Sequence, residues 1–180
     1  MATLVLTILG DDRPGLVSAL SAPVNAHGAS WERSEMSRLA GKFAGIVVLS
    51  VPRERLDQLV AELAALATQG LHVTIEQTDE PADDPADERA QGRPVQRLNL
   101  ELLGADRPGI VAEISAALAQ AQVSIEELST DVREAPMAGG TLFEARAVLS
   151  APADGDTGAL RGVLEALADE LMVDLQLSED

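Results

Sequence analysis

Residues 3–9 alternate so that Leu4, Leu6 and Ile8 share one face, the pattern of a strand half-buried against helices. The period then changes. Leu16, Val17, Leu20 and Val24 follow at helical spacing, and Gly28 is placed to stop that helix. Pro14 is expected in the first helical turn, where a missing N–H costs nothing. Two extended runs, 29–39 and 43–51, flank Ala40-Gly41-Lys42, which predicts a β-hairpin with Gly41 supplying the positive φ of a tight turn. A second helix carries the stripe Leu56, Leu59, Val60, Leu63 and Leu66, and a last strand alternates through Leu71, Val73 and Ile75.

The same succession then recurs. Leu98, Leu100 and Leu102 repeat the first strand, and Ile110, Val111, Ile114 and Leu118 repeat the first helix, with Gln122 where the first copy has Gly28. Runs 123–134 and 141–151 repeat the hairpin around a longer connection, 135–140. Leu160, Val163, Leu164, Leu167 and Leu171 form the second stripe, and Val173, Leu175 and Leu177 the closing strand. The stretch Gly10-Asp11-Asp12-Arg13-Pro14-Gly15-Leu16-Val17 returns as Gly104-Ala105-Asp106-Arg107-Pro108-Gly109-Ile110-Val111. Between 6–32 and 100–126, twelve of 27 aligned positions are identical. A repeat this long implies two copies of one domain. The order βαββαβ in each predicts an α+β chain of two ferredoxin-like units in tandem, with antiparallel sheets and helices on one face. The expected units are 1–78 and 95–180. They are joined by an acidic linker, 79–94, which holds three prolines and six acidic residues.

Composition narrows the chemistry. Apolar residues make up 46% of the chain and aromatic ones 2%, so the core must be aliphatic. With no cysteine, disulfides, thiolate catalysis and cysteine-bound metal are excluded. No apolar run approaches the roughly 18 residues of a membrane span, and no basic segment precedes the first strand, so a cytoplasmic protein is expected. The net charge of −17 is spread as −2 over 1–78, −4 over 79–94 and −11 over 95–180. Such a surface repels DNA, whose binding depends on Lys and Arg displacing counterions. The acidity serves solubility, or else a basic protein partner.

No catalytic constellation stands out. His27 and His72 are isolated in sequence and read as surface or edge residues. The glycine loops lack the P-loop pattern, and their acidic residues would repel phosphate. No enzyme activity, cofactor or metal is expected. The repeated loop nonetheless suits an amino acid zwitterion: the N–H groups of a helix start attract a carboxylate, Gly15 and Gly109 allow close approach, and Asp12 and Asp106 can receive an ammonium group. The alternative is purely structural, with Asp capping the helix, Pro starting it and Gly packing closely. From these residues alone both readings stand.

The (D/A)-D-R-P-G-(L/I)-V loop between the first strand and first helix of a βαββαβ unit resembles that of the ACT domain, a family of amino-acid-binding regulatory modules. Ser30-Trp31-Glu32, Ser124-Ile125-Glu126 and Ser37-Arg38-Leu39 agree with it, and the resemblance spans both halves. Two such domains with no third resemble the glycine cleavage system transcriptional repressor family. The resemblance implies ligand sites at interfaces between ACT domains, against the loop after the first strand. Carried over, these are Asp11, Asp12, Pro14, Gly15 and Leu16, then Asp106, Pro108, Gly109 and Ile110, with Ser30 and Ser124 at a position that often holds Asn. Ala105 in place of Asp11 implies two non-equivalent sites. The resemblance further implies glycine or a similar small amino acid as effector and action on a DNA-binding activator protein rather than on DNA. Domains this small are expected to pack against each other or a partner chain, and a homo-oligomer is expected. Two alternatives remain. One is a ligand-free interaction or dimerisation module. The other is the regulatory part of a hydrolase, since formyltetrahydrofolate deformylases and some phosphoserine phosphatases begin with such domains; against it, the acidic Ser178-Glu179-Asp180 end is read as a terminus.

Overall fold

The computed structural model describes residues 1–78, 95–134, 140–153, 155 and 157–179. The chain divides into two compact units, Met1–Pro85 and Ala86–Asp180. The predicted linker 79–94 lies outside the described residues, as does most of the second hairpin connection, 135–139.

In the first unit β1 (Ala2–Asp11), α1 (Leu16–Ala26), β2 (Ser30–Leu39), β3 (Lys42–Val51), α2 (Leu56–Ala65) and β4 (Leu71–Thr78) follow in order. The second unit repeats them as β5 (Val95–Ala105), α3 (Ile110–Gln120), β6 (Ser124–Glu134), β7 (Thr141–Pro152), α4 (Thr157–Leu171) and β8 (Val173–Glu179). The sheets run β2-β3-β1-β4 and β6-β7-β5-β8, antiparallel throughout, so both units have the predicted α+β ferredoxin-like architecture.

Alternation decides which sheet face meets the helices. Leu4, Leu6 and Ile8 of β1 are buried with Val47, Leu49 and Val51 of β3, beneath Leu16, Leu20 and Val24 of α1 and Leu59 and Leu63 of α2. Leu98, Leu100 and Leu102 hold the same place in the second unit, with Ile110, Ile114, Leu118, Leu160 and Leu164 above them. Val17, Val111 and Val163, which the helical spacing assigned to the buried stripes, are exposed. A narrow stripe suffices to cover a four-stranded sheet, and these three flank it.

The connections follow backbone chemistry. The first hairpin turn is Ala40-Gly41, both at positive φ (50° and 75°), the two-residue geometry whose twist matches the strands it joins. Lys42 therefore belongs to β3, opposite Leu39, rather than to the turn. After α1 the chain reverses at Gly28 (φ 64°), and after α3 it reverses at Gln122 (φ 58°), a side-chain-bearing residue in the left-handed region. Both second strands carry a bulge at the same place, which leaves Glu32 and Glu126 over. Among the described residues, no helix is long and apolar enough to cross a membrane.

Candidate functional site

β1 runs into its loop beside the hairpin turn, because Asp11 lies opposite Lys42 in the ladder. The Asp11 carboxylate accepts a hydrogen bond from Lys42 Nζ, and this bond, with the ammonium charge, holds the carboxyl below the usual carboxylate range; the slight loss of hydration acts the other way. The Asp12 N–H donates to the Gly41 carbonyl at 2.9 Å, and the Asp12 carboxylate accepts from Arg38 Nη1 at 3.3 Å. Arg13 donates to the Gln69 carbonyl at 2.5 Å, tying the loop to the turn before β4. Both acids of the first loop are thus matched by cations from one hairpin.

The second loop keeps the backbone and loses the cations. Asp106 N–H donates to the Thr141 carbonyl at 2.9 Å, repeating the tie made by Asp12. Ala105 replaces Asp11, Leu142 faces it where Lys42 faces Asp11, and Val132 stands where Arg38 stands. Arg107 turns instead to Glu113 on the first turn of α3, at 3.0 Å. Among the described residues Asp106 has no ion-pair partner. It is exposed on a loop that otherwise matches the first.

The helix starts agree in both units. Gly15 (φ 91°) and Gly109 (φ 98°) are the residues just before α1 and α3, and neither helix has a side-chain cap. Leu16 and Ile110, the first helical residues, are buried in their cores, so each glycine marks where the chain turns inward. Pro14 and Pro108 precede the glycines and lie outside the helices, which corrects the expected first-turn placement. A Cβ at Gly15 would meet nothing within 4 Å, so this glycine is there for its backbone angle and not for close packing. At Gly109 the nearest atom would be Glu113 Oε1, at 3.2 Å. Aspartate capping and close-packed glycine, the two main parts of the structural reading, are therefore missing at the first loop. The close approaches are elsewhere: an added Cβ at Gly10 would lie 2.9 Å from the Gly70 carbonyl oxygen, and one at Gly104 would collide with Val173.

Ser30 and Ser124 are not brought to these loops. Ser30 lies opposite Ser50, which lies opposite Thr3, whereas Asp11 is at the other end of β1. Eight ladder steps at ~3.3 Å each put Ser30 about 26 Å from the loop of its own unit. Ser124 lies opposite Ser150, which lies opposite Arg97, so it is equally remote from Asp106. His27 is also not at the surface as expected. It ends α1 with its side chain 11% exposed, and its Nε2 lies 3.2 Å from Glu62 Oε1 of α2 without hydrogen-bond geometry. His72 is exposed on β4, as its strand position predicts. No cluster of His, Asp and Glu able to hold a metal occurs among the described residues. A shallow cavity of about 340 Å³ lies on the open face of the second sheet, among Glu101, Arg133, Glu144, Arg146, Asp174 and Gln176, and is lined by strand residues rather than by the loop.

The sequence profile of the ACT domain matches residues 2–76 and again 96–178. The chain is 23% identical to the glycine cleavage system transcriptional repressor of Escherichia coli over 171 residues, covering 93% of this chain and 85% of the repressor. A crystal structure from Galdieria sulphuraria superposes with a TM-score of 0.83 at 27% identity, covering 99% of this chain and 98% of that one. Another, assigned provisionally to a glycine cleavage system transcriptional repressor, superposes at 0.72 with 18% identity, covering 99% and 97%; at that identity the likeness is one of fold. With both units matched over nearly their whole length, the chain belongs to the ACT-domain family as a tandem of two.

Proposed function

We propose that this protein is an amino-acid-responsive regulator, without catalytic activity of its own, that works by binding a protein partner and not DNA. The observation that carries this reading is the repeated loop. Each copy offers an uncapped helix N-terminus behind a positive-φ glycine, next to a carboxylate. Amide N–H groups at the helix start suit a carboxylate, and Asp106 suits an ammonium group. The second loop is the stronger ligand site, because Asp12 is already neutralised by Arg38 while Asp106 faces no cation. Glycine, serine and alanine are the candidate effectors, since a small zwitterion presents both charges within a short span. Ser30 and Ser124 lie too far from the loops of their own units to touch the same molecule; a role for them requires a second unit to bring its loop to them.

Several features support the rest of the reading. Similarity to the Escherichia coli repressor over most of both chains supports a place in transcriptional control of glycine cleavage. The net charge of −17 disfavours direct contact with DNA and favours a basic surface on a partner protein. A cytoplasmic location follows from that role. The ligand acts only if it binds one arrangement of the assembly better than another.

The test is thermal unfolding against the twenty amino acids, each at millimolar concentration. A ligand at 100 times its Kd stabilises by about 2.7 kcal/mol, a shift of several degrees. A shift with glycine, serine or alanine that disappears on Asp106→Asn establishes the sensor and its site. No shift with any amino acid leaves the interaction module as the function.

A further inference from the structure

The first sheet has a free face, opposite its helices, and the ladder registers define it row by row. Arg33 lies opposite Val48, Val48 opposite Val5, and Val5 opposite Glu76. One row therefore reads Arg33–Val48–Val5–Glu76 from edge to edge. The next reads Glu35–Ile46–Thr7–Thr74, and the one after that ends in Leu9 and His72. Ile46 is 52% and Leu9 50% exposed, while Val5 and Val48 are of intermediate exposure. The face thus carries an apolar band whose first row has a cation at one edge and an anion at the other, roughly 14 Å apart across three strand spacings, with Glu35 beside Arg33 in the next row. Among the described residues neither Arg33 nor Glu76 has an ion-pair partner.

The second sheet shows that the fold does not demand this pattern. Where the first has Thr7, Ala44 and Ile46, the second has Glu101, Glu144 and Arg146, joined by ion pairs that reach Arg133 as well. Those groups satisfy each other and suit water. The apolar band belongs to the first sheet alone.

We propose that this band is a docking surface for a second copy of the same chain, packed sheet on sheet about a two-fold axis running along the strands. That axis exchanges the two edges of the sheet. Arg33 then lies over Glu76 of the partner subunit, and Glu76 over Arg33 of the partner subunit, while the valines meet between them. Aligned sheets pack about 10 Å apart with strands crossing at roughly 30°, a gap that long Arg and Glu side chains bridge. The other two-fold in the plane runs across the strands. Through the middle row it would set Glu35 against the partner's Glu35, and between the first two rows it would pair Arg33 with the partner's Glu35 but leave Glu76 facing the partner's Thr74. Only the first arrangement pairs both Arg33 and Glu76. It does not depend on either loop holding a ligand.

Sedimentation equilibrium of the intact protein tests this by charge exchange. Wild type is expected to form a dimer, and R33E or E76R alone to weaken it by roughly tenfold or more, because each sets like charges together twice. The double variant R33E/E76R restores the pairs with reversed sign and is expected to dimerise nearly as well as wild type. Ile46→Lys, at an exposed position that the fold tolerates, weakens the dimer without rescue. A monomer at the highest soluble concentration overturns the proposal. So does a dimer indifferent to R33E and Ile46→Lys, or one that the double variant fails to restore.

Discussion

Arg38 of β2 places its guanidinium 3.3 Å from the Asp12 carboxylate, so the hairpin edge closes over the loop that begins α1. Its counterpart Val132 cannot do this for Asp106. Two loops nearly identical in sequence and in backbone therefore differ in the property that matters to a charged ligand, and the difference originates more than twenty residues away.

That asymmetry predicts unequal responses to charge removal. Asp106→Asn should abolish the thermal shift produced by glycine, serine or alanine, while Asp12→Asn should leave most of it. Arg38→Met should strengthen binding at the first loop by freeing Asp12, read by calorimetry as a second set of sites. Equal losses from Asp12→Asn and Asp106→Asn would show the two loops to be equivalent.

The Asp11–Lys42 pair makes an acid-side prediction. Because the folded carboxyl titrates below its ordinary value, the pair contributes stability that is fully present above the unfolded pKa of about 3.9 and is lost as pH falls through the folded pKa. Urea unfolding of wild type and Lys42→Met should therefore differ above pH ~4 and converge below it. The pair is exposed, so the difference should be small and should shrink with added salt.

Gln122 sits at φ 58° where Gly28 sits at 64°. Gln122→Gly should stabilise the second unit by about 0.5–1 kcal/mol, because relief of left-handed strain exceeds the added entropy of the unfolded chain. Gly28→Ala should destabilise the first unit by a similar amount, about 1 kcal/mol. Urea midpoints measure both.

Two glycines that open the repeated stretch act by close approach. Gly104 lies opposite Val173, and an added Cβ collides with that side chain. Gly104→Ala should cost about 1–3 kcal/mol, and Val173→Ala in the same chain should recover part of it. At Gly10 the obstacle is the backbone oxygen of Gly70, so Gly10→Ala has no such rescue by shortening a neighbour. Double-mutant cycles on the unfolding free energy separate the two cases.

The repeat, the order of elements, the buried alternation of Leu4, Leu6 and Ile8 and the position of the first hairpin were legible without coordinates, because they follow from properties of adjacent residues. Strand and helix periods are set by backbone geometry, and a tight turn by the φ its residues tolerate. The two candidate loops were legible for the same reason: each is a contiguous string. Their surroundings were not. Arg38 meets Asp12 across 26 residues and Lys42 meets Asp11 across 31, contacts that exist only once β1 and β3 have chosen a register. Register likewise sent Ser30 to the far end of the sheet from Asp11, though the family likeness had grouped them. It also drew Arg33, Val48, Val5 and Glu76, from four separate strands, into one row. Local chemistry specified the pieces of this protein; cross-strand pairing, which couples residues with no sequence proximity, settled which charges face each other.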